Sequence, residues 1–535
     1  MSRRLWITIA ALALALPALG AATIEQALDR NGNGFVDDLE MLQALDLWVR
    51  QMPVPGTENL LISDQKIIEL LQLWIKQIPI GQPPAPPPPP PPPPAAKACP
   101  DAPATARILT VPGEFPTIQR AIENARDGDK ILVRSGTYNG GIVIDKNIIL
   151  ESQEGAGVTQ IVSTSDQKGI VVLRALGVVI RGFGISGGKA GISLEASSNV
   201  CIEQNEIFNN VGPGIEISGK TVELGREAQQ VTIVNNIVRN NVGYGIVATE
   251  LLRGQIINNQ IADIAAGPDG SAGYGISVVR GSRVEIRGNT IQRTRSHGLY
   301  TAGITELKIT GNEIRGAPTA PGASPAAGIV VGSDTIGALV TDNALSENEI
   351  GILVENTRSI TVRTNTITRS KIAGVRVNAS LLVRLEGGTV SDTQPREPIG
   401  TQLGIGVEVL NDSTVAIVGV AIQRSFGYGL WVAKGAEVEV SQSLIEGTTG
   451  RPGVPGRGVG VQDARVKIAG SRIAQNTDDG VAVLAGGHAE LSGNEIVGNG
   501  GFGIFSEGTV SCPAPNSFSD NGQNQSVGVP AACGG

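Results

Sequence analysis

Gly191-Ile-Ser-Leu-Glu-Ala-Ser-Ser-Asn-Val200-Cys201-Ile202-Glu-Gln-Asn205-Glu-Ile207-Phe-Asn-Asn-Val-Gly-Pro-Gly214-Ile-Glu-Ile217 holds one complete repeat and the start of the next. A glycine opens a short apolar phrase, a V-x-I triplet follows, and an N-x-I phrase closes the unit before the glycine returns. The glycine phrase occurs fourteen times, at Gly169, Gly191, Gly214, Gly245, Gly275, Gly298, Gly328, Gly351, Gly374, Gly406, Gly429, Gly458, Gly480 and Gly503. The spacings are 22, 23, 31, 30, 23, 30, 23, 23, 32, 23, 29, 22 and 23 residues. A base period of 22–23 residues with occasional insertions marks a solenoid, in which each repeat buries its apolar face against the next.

Each repeat carries three very short strands of period two. Alternation turns Val200 and Ile202 inward and Cys201 outward. Hairpin dipeptides do not recur between the strands, so a coil of parallel strands fits better than a sandwich. Such a coil is right-handed, and fourteen rungs stacked ~4.8 Å apart give a rod of roughly 65–70 Å. The asparagine slot holds Asn205, Asn235, Asn259, Asn289, Asn312, Asn343, Asn365, Asn494 and Asn516, and in other rungs Phe183, Gly388, Val420, Ser443 or Ser471. Buried amides need partners, so the asparagines are expected to form an internal ladder.

Ahead of the first glycine phrase stands Phe115-Pro-Thr-Ile-Gln-Arg-Ala-Ile-Glu-Asn-Ala125, then Asp127-Gly-Asp-Lys-Ile-Leu-Val-Arg-Ser-Gly-Thr-Tyr138. Ile118, Ala121, Ile122 and Ala125 share one helical face, and Gly128 stops the helix. With these phrases, residues 106–535 resemble the right-handed parallel β-helix proteins of the pectate-lyase-like superfamily. The resemblance implies an all-β solenoid with an N-terminal capping helix, and carbohydrate as the ligand. The repeats also resemble periplasmic accessory proteins that assist copper-enzyme maturation. Only two histidines and three methionines stand against metal delivery by this chain.

Residues 1–20 read as a secretory signal: Arg3 and Arg4, an apolar core from Leu5 to Leu19, then Ala18-Leu19-Gly20. The mature chain is therefore expected to be secreted, periplasmic or cell-surface, with no membrane span after signal removal. Residues 21–81 read as a small all-α module. Asp29-Arg-Asn-Gly-Asn-Gly-Phe-Val-Asp-Asp-Leu-Glu40 fits a calcium loop. Asp29, Asn31 and Asn33 would supply side-chain oxygens, Phe35 its carbonyl, Asp37 a direct or water-mediated ligand, and Glu40 a bidentate carboxylate. The following helix recurs 26 residues later, Leu45-Asp-Leu-Trp48 against Leu71-Gln-Leu-Trp74, with residues 41, 42, 45, 48 and 49 as its buried face. The pair resembles an EF-hand or dockerin-type duplex with one loop that lacks ligands. A protein partner for this module is one expectation. Residues 82–98 are a proline-rich linker, with eleven prolines between 83 and 94, that leads into the β-helix domain at 99–535.

A net charge of −8 without a basic run excludes a nucleic-acid partner. Aromatic residues are 3%, which leaves room only for a small stacking site on a glycan. Cys512 and Cys533 flank the C-terminal segment and are expected to bridge it; a Cys99–Cys201 bridge stays open. His297 precedes Gly298 in a slot that elsewhere holds Tyr244, Tyr274 or Asp479, so it reads as a turn residue. Asn476, Asp479 and His488 echo polygalacturonase motifs at the wrong spacing, and that assignment is rejected.

Four insertions, at 263–273, 316–326, 391–404 and 446–457, fall at one corner of the coil. Repeat proteins commonly build a working face from such loops. Between the middle two, the expected exposed groups are Glu349, Glu355, Arg369, Lys371 and Arg376. The three cations would bind an acidic polysaccharide or cell-surface glycan, with Glu349 or Glu355 for acid–base work. A second outward column, Arg376, Glu408 and Trp431, would grip a sugar. The alternative is a non-enzymatic extracellular rod.

Overall fold

The computed structural model describes residues 24–29, 38–50, 52–55, 60–62, 66–67, 70, 99–218, 228–267, 273–316, 325–395, 403–526 and 528–534. The chain divides into two units, residues 1–96 and 97–535, each taken by itself below.

In the first unit, α1 spans Ile24–Leu28 and α2 spans Asp38–Val49. Leu28, Met41, Ala44, Leu47 and Leu70 form its core, with Leu45 and Trp48 packed partly against it. The buried stripe of α2 is thus rotated from the expected one. Leu42 and Val49 are exposed, because the face meeting α1 runs through Met41, Ala44 and Leu47. Asp29 follows α1 and Glu40 is buried in the first turn of α2. Asn31, Asn33, Phe35 and Asp37 lie outside the described residues, as do the signal segment and the proline run.

The second unit is a right-handed parallel β-helix. Among the described residues its strands pair in parallel, and equivalent positions align from rung to rung: Ile192 with Ile215, Ile215 with Ile246, Ile246 with Ile276. Strands in the first and second positions of each rung merge into one sheet of 32 strands, and third-position strands form a second sheet of 16. Sixteen third-position strands exceed the fourteen glycine phrases because two earlier rungs contribute Gly136–Asn139 and Thr159–Val162; in the second of these Gly141 precedes Ile142, which pairs with Ile170, and so holds the glycine position. The stack spans ~72 Å.

The recurring glycine is a close-approach residue. A Cβ on Gly351 would lie 2.4 Å from the Gly374 carbonyl oxygen and 2.4 Å from Ile367 Cγ2. The next rung therefore closes onto this position only if no side chain is there. Inside, aliphatic side chains stack in one continuous core from Leu109 to Val510.

An amide ladder runs through this core. Asn205 donates to Asn236 Oδ1 at 3.1 Å, Asn236 to Asn259 at 3.0 Å, and Asn259 to Asn289 at 3.0 Å. It continues through Asn312 and Asn343 to Asn365. The ladder member is Asn236, not Asn235. Asn236 follows Val231 at the distance at which Asn205 follows Val200, and Asn235 takes a left-handed turn at φ 56°. The ladder ends before Gly388 and Val420 and resumes through Ser443, Ser471, Asn494 and Asn516. A second ladder, five residues later in the rung, links Asn210 to Asn241 and Asn476 to Asn499 and Asn521.

Both ends of the rod are covered. Helix α3, Ile118–Asn124, buries Ile118, Ala121 and Ile122, and Thr117 accepts the Arg120 N–H at its N-terminus. Lys146 Nζ donates to the Ile122, Glu123 and Ala125 carbonyls at 2.8–2.9 Å, which satisfies the orphan acceptors of the last turn. A Cys512–Cys533 disulfide ties the C-terminal segment. A Cys99–Cys201 disulfide also forms, so the outward Cys201 is covered. The segment from Cys99 lies over Ile149, Val179, Val234 and Ile257. Arg181, buried beneath it, donates to Glu203 and Glu151 at 2.9 Å, Asp101 at 3.0 Å and the Cys99 carbonyl at 3.0 Å.

Candidate functional site

Outward positions of the rod form three faces. On the first-strand face, the central outward residue of each rung runs Tyr300, Val330, Leu353, Arg376, Glu408, Trp431, Gly460. The residue before each glycine makes a parallel column at the corner where the insertions lie. It includes Tyr244, Tyr274, His297, Tyr428, Arg457 and Asp479.

The aromatic residues of the rod are concentrated here. Four of the five tyrosines, one of the two histidines and Trp431 lie on this face. Tyr274 packs edge-on against Tyr244 at 5.6 Å and stacks on Tyr300 at 5.4 Å. His297 sits between Tyr274, at 5.1 Å, and Tyr300, at 5.8 Å. Its Nδ1 accepts the Ala327 N–H at 2.9 Å, and burial pushes its pKa down to about 4. The ring is therefore neutral at pH 7 and carries its proton on Nε2. Burial raises the pKa of Tyr274. The cluster gives way to an apolar patch of Val330, Ile350, Leu353 and Ile372.

Five rungs beyond Tyr300, Trp431 and Tyr428 form a second pair, with centroids 4.5 Å apart. Tyr428 is buried and Trp431 is partly exposed. Arg376 bonds Glu408 beside the indole. On its other side Arg457 bonds Asp479 at 2.9 Å, and burial pushes the Asp479 carboxyl up despite the Phe502 N–H and Arg457.

Arg376, Glu408 and Trp431 stack one rung apart, with Glu408 buried. Of the groups expected to be exposed between the two loops, Arg369 and Lys371 are exposed and Glu349 is not. Glu349 is buried at 5% exposure and its carboxylate accepts the Ala326 N–H at 3.0 Å, so it is not an exposed acid–base group. Glu355 accepts from Asn378 Nδ2 at 2.8 Å. Arg369 bonds Glu347 at 3.1 Å, and Glu347, also held by Arg315, has its pKa lowered by these guanidiniums. Lys371 lies beside Glu347, Asp263 and Arg293 in a shallow depression of the third-strand side. Arg376 faces the first-strand side, already paired. Of the insertions, 268–272, 317–324 and 396–402 lie outside the described residues. The rejected triad stays apart: Asn476 is in the second ladder, Asp479 is on the first-strand face, and His488 is on the second.

The second-strand face carries a groove of about 740 Å³ lined by Arg384, Glu439, Lys467, Glu490 and His488. Its charges alternate and pair, with Lys467 to Glu490 at 3.0 Å.

Sequence reasoning missed the Tyr274–His297–Tyr300 cluster because it treated each slot singly. Part of the signal was present: Tyr244, Tyr274 and His297 stand one position before the glycine in consecutive rungs.

Residues 122–320 match the family model described as periplasmic copper-binding protein (NosD). Over 158 residues the chain is 30% identical to a cell surface glycoprotein of Methanothermus fervidus, covering 29% of this chain and 26% of that protein. Over 319 residues it is 26% identical to the uncharacterized protein YclG of Bacillus subtilis, covering 49% of this chain and 53% of that one. It thus spans about half or less of these relatives. Among solved structures, the catalytic unit of a GH87 alpha-1,3-glucanase from Streptomyces thermodiastaticus is 13% identical, with a TM-score of 0.45 over 79% of this chain and 70% of that one. The A-module of the Azotobacter vinelandii mannuronan C-5 epimerase AlgE6 is 14% identical, with a TM-score of 0.34 over 76% of this chain and 93% of that one. At this distance neither carries an activity across. The model described as right handed beta helix region matches residues 253–396 and 404–529, more than half of the chain, and with the parallel coil, the stacked core and the amide ladder already in view, the chain belongs to that family.

Proposed function

We propose that this is an extracytoplasmic β-helix protein that binds polysaccharide along its first-strand face. The observation that carries the reading is the gathering of Tyr244, Tyr274, His297, Tyr300, Tyr428 and Trp431 on one face of a rod otherwise poor in rings. Aromatic faces stack on the apolar faces of sugars, and rigid strands hold them ready at little entropic cost. The carboxylates beside the rings, Glu408 and Asp479, are each bonded to a guanidinium. That arrangement favours retention over cleavage. The signal segment and two disulfides support export to an oxidising compartment. The donor set from Asp29 to Glu40 is all oxygen, which suits calcium in the N-terminal module.

The test is retention of the full chain on a panel of immobilised polysaccharides, with reducing ends and unsaturated uronates assayed in parallel. Retention lost on changing Tyr300 and Trp431 together to alanine supports the reading. No retention on any glycan, or retention indifferent to both changes, rejects it.

The copper-protein family match over residues 122–320 favours a second reading, an accessory factor for a periplasmic copper enzyme. All four cysteines are in disulfides, so a cargo metal would lack thiolate ligands here. Copper retained after dialysis of the full chain would favour this second reading.

A further inference from the structure

The ground around Trp431 shows what kind of sugar the first-strand face accepts. One rung beyond the indole stands Gly460, where every outward side chain would collide with the rings. A Cβ there would lie 2.7 Å from Trp431 Cε3 and 2.5 Å from Tyr428 Cε1. The two rings therefore lean over the next strand and cover Gly460. This platform is bounded on both sides by arginines that already face carboxylates. Arg376 and Glu408 lie in the two rungs before it, with side chains 24% and 10% exposed. Arg457 and Asp479 lie in the two rungs after it, 18% and 4% exposed. Asp478 adds a third carboxylate, 3.6 Å from Arg457 and 42% exposed. Elsewhere on this face Lys168 is shared by Glu195 at 2.9 Å and Glu216 at 3.1 Å. Among the described residues, each of these cations already has a carboxylate partner, and the whole chain carries a net charge of −8.

A sugar hydroxyl both donates and accepts, so it can insert beside an ion pair and bond both partners. The carboxylate of a uronate only accepts. It would have to displace Glu408 or Asp479 from its guanidinium, or share that guanidinium with a carboxylate already there, and either outcome costs binding. We propose that the Trp431 platform takes a neutral glycan rather than a uronate-rich one, with one sugar ring on the indole and its hydroxyls bonding the flanking arginine–carboxylate pairs. This rests on the reading of the first-strand face as a polysaccharide site and replaces the acidic glycan expected from the sequence.

The experiment is calorimetric titration of the full-length protein with cellohexaose, laminarihexaose and mannohexaose, and with hexagalacturonate and hexamannuronate, at about 20 and about 300 mM NaCl. A neutral hexasaccharide is expected to bind with a Kd that moves less than about twofold with salt, and the hexauronates at least roughly tenfold more weakly. Trp431→Ala should weaken the neutral ligand roughly tenfold, and Trp431→Phe, which keeps a ring, should recover most of it. Glu408→Gln, which leaves Arg376 uncompensated, should tighten hexauronate binding at least roughly threefold. If a hexauronate binds best, weakens with salt and still depends on Trp431, the neutral class is overturned while the face stands. A Glu408→Gln variant without effect on hexauronates also overturns the class. If nothing binds, the face is not a glycan site; if a hexasaccharide binds while Trp431→Ala and Trp431→Phe both behave as wild type, the Trp431 platform is overturned.

Discussion

The Nδ1 of His297 accepts the backbone N–H of Ala327, one rung further along the rod, at 2.9 Å. One imidazole nitrogen thereby joins the inter-rung hydrogen bonding, while the ring fills the space between Tyr274 and Tyr300. Protonation of Nδ1 would remove the acceptor and charge a buried ring.

A pH dependence follows. Burial holds the pKa of folded His297 at about 4, below the ordinary 6.5 of an imidazole. The unfolded chain therefore binds more protons between these values, so this group's stability contribution is full above about pH 6.5 and falls as pH drops to about 4. The shift corresponds to roughly 2–4 kcal/mol. His297→Gln should flatten the difference in melting temperature between pH 7 and pH 4.5 relative to wild type. Equal slopes for the two proteins would show that the histidine titrates normally.

The amide ladder should be felt as a unit. Asn289 accepts the Asn259 N–H at 2.9 Å and donates to Asn312 at 2.9 Å and the Ile256 carbonyl at 2.8 Å. Asn289→Ala leaves those buried groups without partners, at a cost of about 2–4 kcal/mol. Amide hydrogen exchange should accelerate at Asn259 and neighbouring rungs while distant rungs stay protected, because repeats contact only their neighbours. Unchanged protection at Asn259 would contradict a structural role for the ladder.

The repeat glycines should not tolerate a methyl group. Gly351→Ala places a Cβ 2.4 Å from the Gly374 carbonyl and should cost about 1–3 kcal/mol by calorimetry. Gly177→Ala, where the nearest atom is Asn147 Cβ at 3.9 Å, should be neutral. If both variants melt alike, close approach does not explain the repeat.

The Cys99–Cys201 bridge closes a long loop, 102 residues in sequence separation, over the buried Arg181 cluster. Cys201→Ser should lower stability by about 4 kcal/mol. It should also open the segment around Cys99 to limited proteolysis. A variant cleaved no faster than the parent would place the hold on that segment in the ion network instead.

Calcium added to the full chain should raise the melting temperature of the N-terminal unit. Asp29→Ala and Glu40→Ala should each abolish that rise. A rise that survives both substitutions would locate calcium elsewhere.

The coil was legible because its signals are local and repeated. Val200 and Ile202 alternate about Cys201, and the glycine returns at a near-constant interval. The capping helix declared itself through Ile118, Ala121 and Ile122. Insertions were harder: counting from Gly214 across the long stretch pointed to Asn235, whereas the distance from Val231 places Asn236 in the ladder. The Cys512–Cys533 pairing follows from nearness in sequence, whereas Cys99 meets Cys201 only because the N-terminal segment runs back over the early rungs.

The sequence by itself determined the parallel coil, its inward and outward residues, its cap and the Arg376, Glu408, Trp431 column, since period and stacking fix which residues are neighbours along the rod. Only the tertiary structure decided which charges remain available. Glu349 turns inward to bond Ala326, Arg369 is held by Glu347, and Arg376 by Glu408. Those partners lie 22 to 32 residues away on adjacent rungs, and whether two opposite charges meet depends on side-chain direction at each corner, which the repeat does not encode.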